Sequence, residues 1–144
     1  MNKDMRTFLG EARQLGRDYF ASVTRPVDPM YEPSMIQQKL AAEGRYPVIR
    51  MENMNGSELP LTTNMFASYE LLGLALGVDP GTPKSEILHR FRSRIANPLA
   101  TVAVAREDAP VKQVIHTDGG IDLNKFPIVH HAEKDSGKYI SVGC

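Results

Sequence analysis

The chain has 144 residues, 42% of them apolar and 24% charged, the balance of a folded globular protein and not of a disordered one. Its 17 basic and 17 acidic residues cancel, which argues against whole-molecule attraction to nucleic acid or to an anionic membrane. One cysteine, Cys144, excludes an internal disulfide, and no apolar run approaches the ~18 residues of a membrane span.

In chain order, Met1-Asn2-Lys3-Asp4 opens without the apolar core of a signal peptide, so a cytoplasmic setting is expected. Met5, Phe8, Leu9, Ala12 and Leu15 fall at helical spacing, with Asp4 as N-cap and Gly16 as the stop. Tyr19 to Val23 reads as a strand ended by Arg25-Pro26. Ser34-Met35-Ile36-Gln37 matches a capping box, opening a helix with Ile36 and Leu40 on one face that stops at Gly44. Tyr46 to Met51 is an apolar run, Asn55-Gly56 a turn signal and Leu59 to Met65 extended chain, which together predict a hairpin. Ser68 caps a helix bearing Leu71, Leu72, Ala75 and Leu76, closed by Gly77 and Pro80-Gly81.

Thr82-Pro83 then starts a helix, threonine as cap and proline at the first helical position, with a buried stripe of Ile87, Leu88, Phe91 and Ile95. Asn97-Pro98 ends it. Thr101 to Val104 and Val111 to His116 are strand candidates, separated by the polar break Arg106-Glu107-Asp108. Asp135-Ser136-Gly137 launches a last strand, Lys138 to Cys144, whose pairing partner no later residue supplies. Helices and strands alternate without a long structureless gap, which predicts a mixed α/β (α+β) domain over 1–108, bounded near Asp108 to Pro110 where charge and proline interrupt the pattern, and leaves 109–144 as a linker and the start of a second domain.

The residue types able to carry chemistry are scattered. His130 and His131 are adjacent, so on extended chain they point to opposite faces, and zinc needs three or four ligands; a polar loop is the expectation. His116 near Asp118 belongs to the turn Asp118-Gly119-Gly120. Gly137-Lys138 lacks the earlier glycine (Ala132 stands there) and the following hydroxyl (Tyr139) of a phosphate loop, and no G-x-G-x-x-G is present. Arg90, Arg92 and Arg94 make one helix locally basic, with no aromatic interleaving to support RNA binding. Cys144 has no base assigned to it, and Met51, Met54 and Met65 read as core filler. No catalytic, cofactor-binding or metal-binding residue is assigned on these grounds.

Taken together, ordered segments resemble the N-terminal part of the UbiD family of decarboxylases, relatives of 3-polyprenyl-4-hydroxybenzoate carboxy-lyase. They are Asp4 to Leu9; Pro26-Val27-Asp28-Pro29 with Glu32; Pro47 to Ser57; Asn64 to Ser68 with Ala75-Leu76-Gly77; Ala109 to Val114; Ile121 to Ile128; and Asp135 to Gly143. The resemblance implies an N-terminal α/β domain followed by the first strand of a split β-barrel similar to flavin reductases. It implies decarboxylation of an aromatic or α,β-unsaturated acid, with prenylated FMN as electron sink, manganese and potassium at its phosphate, and a Glu-Arg-Glu set moving the proton.

In the family the metal ligands and catalytic groups follow the first barrel strand, so the chain alone is expected to be inactive and to bind no cofactor. It is then a truncated form, a proteolytic remnant or half of a split enzyme. The expected partner is the remainder of the polypeptide or a complementary subunit, in a homo-oligomer when complete. Glu52 and Glu133 match no catalytic motif. Ser141 falls where the family often has a threonine near the reaction cavity, and is the one expected cavity-lining residue. His131-Ala132 stands where many members have Trp-His. The alternative reading is a non-catalytic interaction module with the same fold, capturing a partner by β-augmentation.

Overall fold

Two parallel strands, β1 (Phe20–Val27) and β2 (Val48–Met54), set the frame in the computed structural model, which describes residues 4–140. Parallel neighbours need a crossover, and α2 (Glu32–Ala42) supplies it. The Asn55-Gly56 turn, with Gly56 at φ +79°, reverses the chain into β3 (Leu61–Thr63), antiparallel to β2 as predicted. The order β1-β2-β3 leaves β1 at one edge of the sheet.

Alternation along the strands then sorts side chains between two layers. Phe20 and Val48 pack with Phe8 and Ala12 of α1 (Met5–Gln14) and with Leu71 and Leu74 of α3 (Tyr69–Leu76). Ile49 and Met51, with Val23, pack on the opposite side against Ile36 and Leu40 of α2. Ile49, Met51, Leu71, Val27 and Val48 are fully buried, each worth about 1.5–3 kcal/mol of transfer free energy. A fourth helix, α4 (Lys84–Ala96), lies against α3 through Ile87. The architecture is the mixed α+β domain that the sequence predicts.

Several boundaries fall where local chemistry puts them. Asp4 accepts from the Thr7 N–H at 2.8 Å and Ser68 from the Leu71 N–H at 3.2 Å, while Gly77 closes α3 at φ +71°. Others move. β1 does not end at Arg25-Pro26: a register shift between Val23 and Pro26 accommodates a proline that has no N–H to give, and the strand resumes to Val27. Ser34 does not cap α2, which begins at Glu32 with Tyr31 as N-cap at φ +65°. Thr82 does not cap α4: its hydroxyl donates to the Asp79 carbonyl at 2.6 Å, and Pro83 takes the cap position. Of the stripe predicted on α4, only Ile87 is buried; Phe91 and Ile95 are 40% and 63% exposed because no further layer covers them.

Beyond Asn97 the predicted strands do not form. Thr101–Val104 is irregular, and 111–116 follows single 3₁₀ turns at Arg106–Asp108 and Pro110–Lys112. A strand's backbone groups need a neighbour, and none lies alongside among the described residues. Residues 138–140 of the last predicted strand are not strand either, and Ser141 to Cys144 lie outside the described residues. No helix among the described residues is long and apolar enough to cross a membrane.

Candidate functional site: the His130–His131 seat

The segment around the paired histidines returns to dock beside the start of α2. The His130 N–H donates to the Pro29 carbonyl at 3.0 Å, and the His130 carbonyl accepts from Tyr31 N–H at 2.8 Å, making an isolated parallel bridge between Met30 and His130. Val129 is buried beneath, and its carbonyl accepts from Tyr139 N–H at 3.2 Å. The two imidazoles reach different partners, as their adjacency predicts. His130 lies 5.0 Å from the Tyr31 ring, with Nε2 3.2 Å from the Asp135 carbonyl. A carbonyl only accepts, so Nε2 carries the proton in that pair. His131 lies 5.0 Å from the Tyr139 ring, and its Nδ1 is 3.2 Å from Ser34 Oγ.

A tyrosine at positive φ is strained, and here a network of hydrogen bonds holds it. Met30 N–H donates to Asp28 Oδ1 at 2.8 Å, Glu32 N–H to the Met30 carbonyl at 2.8 Å, and Asp28 N–H to Glu32 Oε2 at 2.7 Å. The Asp28 N–H first, and then Arg25, hold the Glu32 carboxyl below its ordinary value. Asp135 Oδ2 closes the loop by accepting from Ala132 N–H at 2.9 Å. Sequence reasoning missed Tyr31 and Ser34 as partners of the histidines. The available signal was the pair Asp28 and Glu32, four residues apart around Asp28-Pro29.

Chemically, Ser34 and His131 form a hydroxyl–imidazole pair. A nucleophile also needs its base oriented by a third group, and no carboxylate is hydrogen-bonded to His131 among the described residues. The pair positions backbone: it fixes the segment leading into Ser141, itself outside the described residues along with Cys144. No group of three His, Cys, Asp or Glu able to hold a metal occurs among the described residues.

The remaining candidates are dispersed. Arg94 Nη2 donates to the Leu76 carbonyl at 2.8 Å and Arg90 lies 3.9 Å from Glu86, so both serve the fold locally. His116 and Glu133 are exposed. Desolvation raises the Glu52 carboxyl, but hydrogen bonds from Arg50 (2.9 Å) and Ser22 (3.0 Å), with the charges of Arg50 and Arg13, outweigh it and leave the group below its ordinary value. Glu52 is therefore a charged member of a sheet-surface ion cluster.

Comparison with known proteins identifies relatives of the chain. Residues 16–91 match the model of the 3-octaprenyl-4-hydroxybenzoate carboxy-lyase N-terminal domain, and residues 102–144 that of its Rift-related domain. Among curated proteins, the anhydromevalonate phosphate decarboxylase of Methanosarcina mazei is 31% identical over 138 residues, 96% of this chain and 28% of its own length. Among solved structures, the closed form of vanillic acid decarboxylase from Sedimentibacter hydroxybenzoicus superposes with a TM-score of 0.84 at 28% identity, covering 98% of this chain and 30% of that one. An evolved dimeric form of the UbiD-class enzyme HmfF from Pelotomaculum thermopropionicum, in complex with prFMN, gives 0.77 at 28% identity, covering 94% and 29%. The chain thus spans under a third of the length of these relatives. On the strength of that ordered match and of the shared fold, the chain belongs to the UbiD family of carboxy-lyases.

Proposed function

We propose that this chain forms the N-terminal domain of a prenylated-FMN-dependent decarboxylase acting on an aromatic or α,β-unsaturated carboxylic acid, and that by itself it is inactive. Two of the relatives named above are decarboxylases, and the third is a UbiD-class enzyme in complex with prFMN. The observation that carries the reading is the ordered pair of family matches, residues 16–91 to the N-terminal domain and 102–144 to the Rift-related domain. In this reading residues 1–108 are the N-terminal domain and 109–144 lead into the barrel. Ser141 lines the reaction cavity, and the Ser34–His131 and Tyr31–His130 contacts set the path of the chain toward it.

Prenylated FMN, when bound, supplies the electron sink for the carbanion left by departing carbon dioxide. The described residues do not fit manganese, because they bring no three suitable donors together. What this chain contributes is positioning: a rigid seat whose hydrogen bonds hold residues 129–139 against α2. The partner is the remainder of the family polypeptide or a complementary subunit, in a homo-oligomer when complete, and the setting is cytoplasmic.

Mixing the chain with a polypeptide carrying the rest of a family member, prenylated FMN and manganese tests this. Flavin absorbance co-eluting with the complex, together with carbon dioxide release, is the expected result. Stoichiometric flavin retained by the chain alone, or turnover by it, would overturn the reading.

A further inference from the structure

A groove of about 680 Å³ runs along the open edge of β1, between α1 on one side and α2 on the other. Its floor is unpaired backbone. Val48 N–H donates to the Tyr19 carbonyl, and alternate residues of a strand face the same way, so Ala21 and Val23 also turn toward β2. Ser22 therefore presents both its N–H and its C=O outward, and Phe20 its C=O; the Phe20 N–H is already given to the Gly16 carbonyl. The devices that blunt an edge, a charge, a proline and a bulge, all sit further on, at Arg25-Pro26. The stretch from Phe20 to Val23 has none of them.

The walls are basic. Arg13, Arg17, Arg25, Lys39 and Arg45 line the groove against the single carboxylate of Glu43. Arg13 and Arg45 each lie 3.8 Å from a carboxylate outside it, Glu52 and Asp18, and Arg25 is paired with Glu32. Arg17 and Lys39 have no carboxylate partner among the described residues, and they stand on opposite walls, Arg17 just after α1 and Lys39 on α2.

We propose that this groove takes an extended acidic segment of a separate polypeptide, which adds as a fourth strand on β1. The open ladder groups give it direction, and the two unpaired cations give it charge preference. Side chains of a strand alternate between faces, so carboxylates at adjacent positions of the segment reach Arg17 and Lys39 on the opposite walls. The recognised chemistry is thus a neighbouring glutamate–aspartate pair within a β-prone run. The site does not rest on the decarboxylase reading, although its lining residue Arg25 pairs with Glu32 of the network that holds the histidine seat.

The probe is a fluorescently labelled hexapeptide of valine and threonine around an adjacent glutamate–aspartate pair, titrated with the chain and read by anisotropy. Saturable binding is expected, about tenfold weaker for the glutamine–asparagine version and about threefold weaker for Arg17→Gln or Lys39→Gln. Methylating peptide nitrogens on one alternating set should abolish binding while the other set is tolerated, and the Ser22 amide resonance should shift on titration. No binding, or binding indifferent to which nitrogens are methylated, overturns the proposal. So does equal affinity for a uridine oligonucleotide, which would make the groove a general anion surface. Loss of peptide binding once the complementary polypeptide is added also overturns it, because the edge would then belong to the enzyme's interior.

Discussion

Tyr31 keeps its left-handed backbone because the groups around it are hydrogen-bonded, and within that network the Glu32 carboxyl is held below its ordinary value. Its carboxylate accepts from Asp28 N–H and pairs with Arg25, and both lower its pKa in the fold. A depressed folded value means that the stabilisation is complete above the unfolded glutamate value of about 4.3 and is lost as pH falls through the lower folded one. The 28–31 turn should therefore loosen in acid, and the Met30–His130 bridge with it. Nuclear magnetic resonance checks this directly: the Glu32 side-chain carboxyl carbon should titrate below the ordinary glutamate range, and the Asp28 amide should lose the matching step in Glu32→Gln. A midpoint at the ordinary glutamate value would show that the turn does not depend on that charge. The exposure of both partners keeps the effect on global stability below about 1 kcal/mol.

Among the elements, the sharpest test lies where α3 meets α4. Alanine normally stabilises a helix over glycine by about 1 kcal/mol. At Gly73, however, a Cβ would stand 3.0 Å from Val78 Cγ2 and 3.2 Å from Ile87 Cδ1, and Ile87 is buried. Crowding of that kind costs about 1–3 kcal/mol, so Gly73→Ala should be net destabilising by about 1 kcal/mol in urea unfolding. Pairing it with Ile87→Val should recover part of the loss; an additive double variant would place the strain elsewhere. The same elements show what can be read from sequence. Asp4 and Ser68 cap as their local pattern says, because donor and acceptor lie three residues apart. Ser34 carries the same pattern, yet its hydroxyl turns to His131, 97 positions away. Thr82 is likewise diverted, to Asp79. Periodicity located all four helices and the hairpin; it could not reveal that one hydroxyl would be claimed by a distant histidine and another by the turn just before it. The site was legible only in part for the same reason: His130 and His131 stood out, while Tyr31 and Ser34 became their partners only through folding.

At the scale of the molecule, the chain divides into a packed body and a stretch from Pro98 to Leu123 whose apolar side chains face water. Val102, Val104, Val111 and Val114 are 83%, 59%, 80% and 70% exposed, although their β-branched shape and spacing predicted strands. Strand preference is a preference for a half-buried pleated surface, and no such surface meets these residues among those described. The chain then rejoins the body: Ser57 Oγ donates to the Lys125 carbonyl at 2.7 Å, and Val129 is buried. These valines should therefore contribute almost nothing to the stability of the isolated chain. Changing all four to threonine or serine should leave its unfolding free energy within about 0.5 kcal/mol, as for other exposed positions, while lowering its binding of a hydrophobic dye. In the proposed complex with a complementary polypeptide, the same variant should associate more weakly if this surface is part of the interface. A large loss of stability in the isolated chain would mean that the valines already pack in solution.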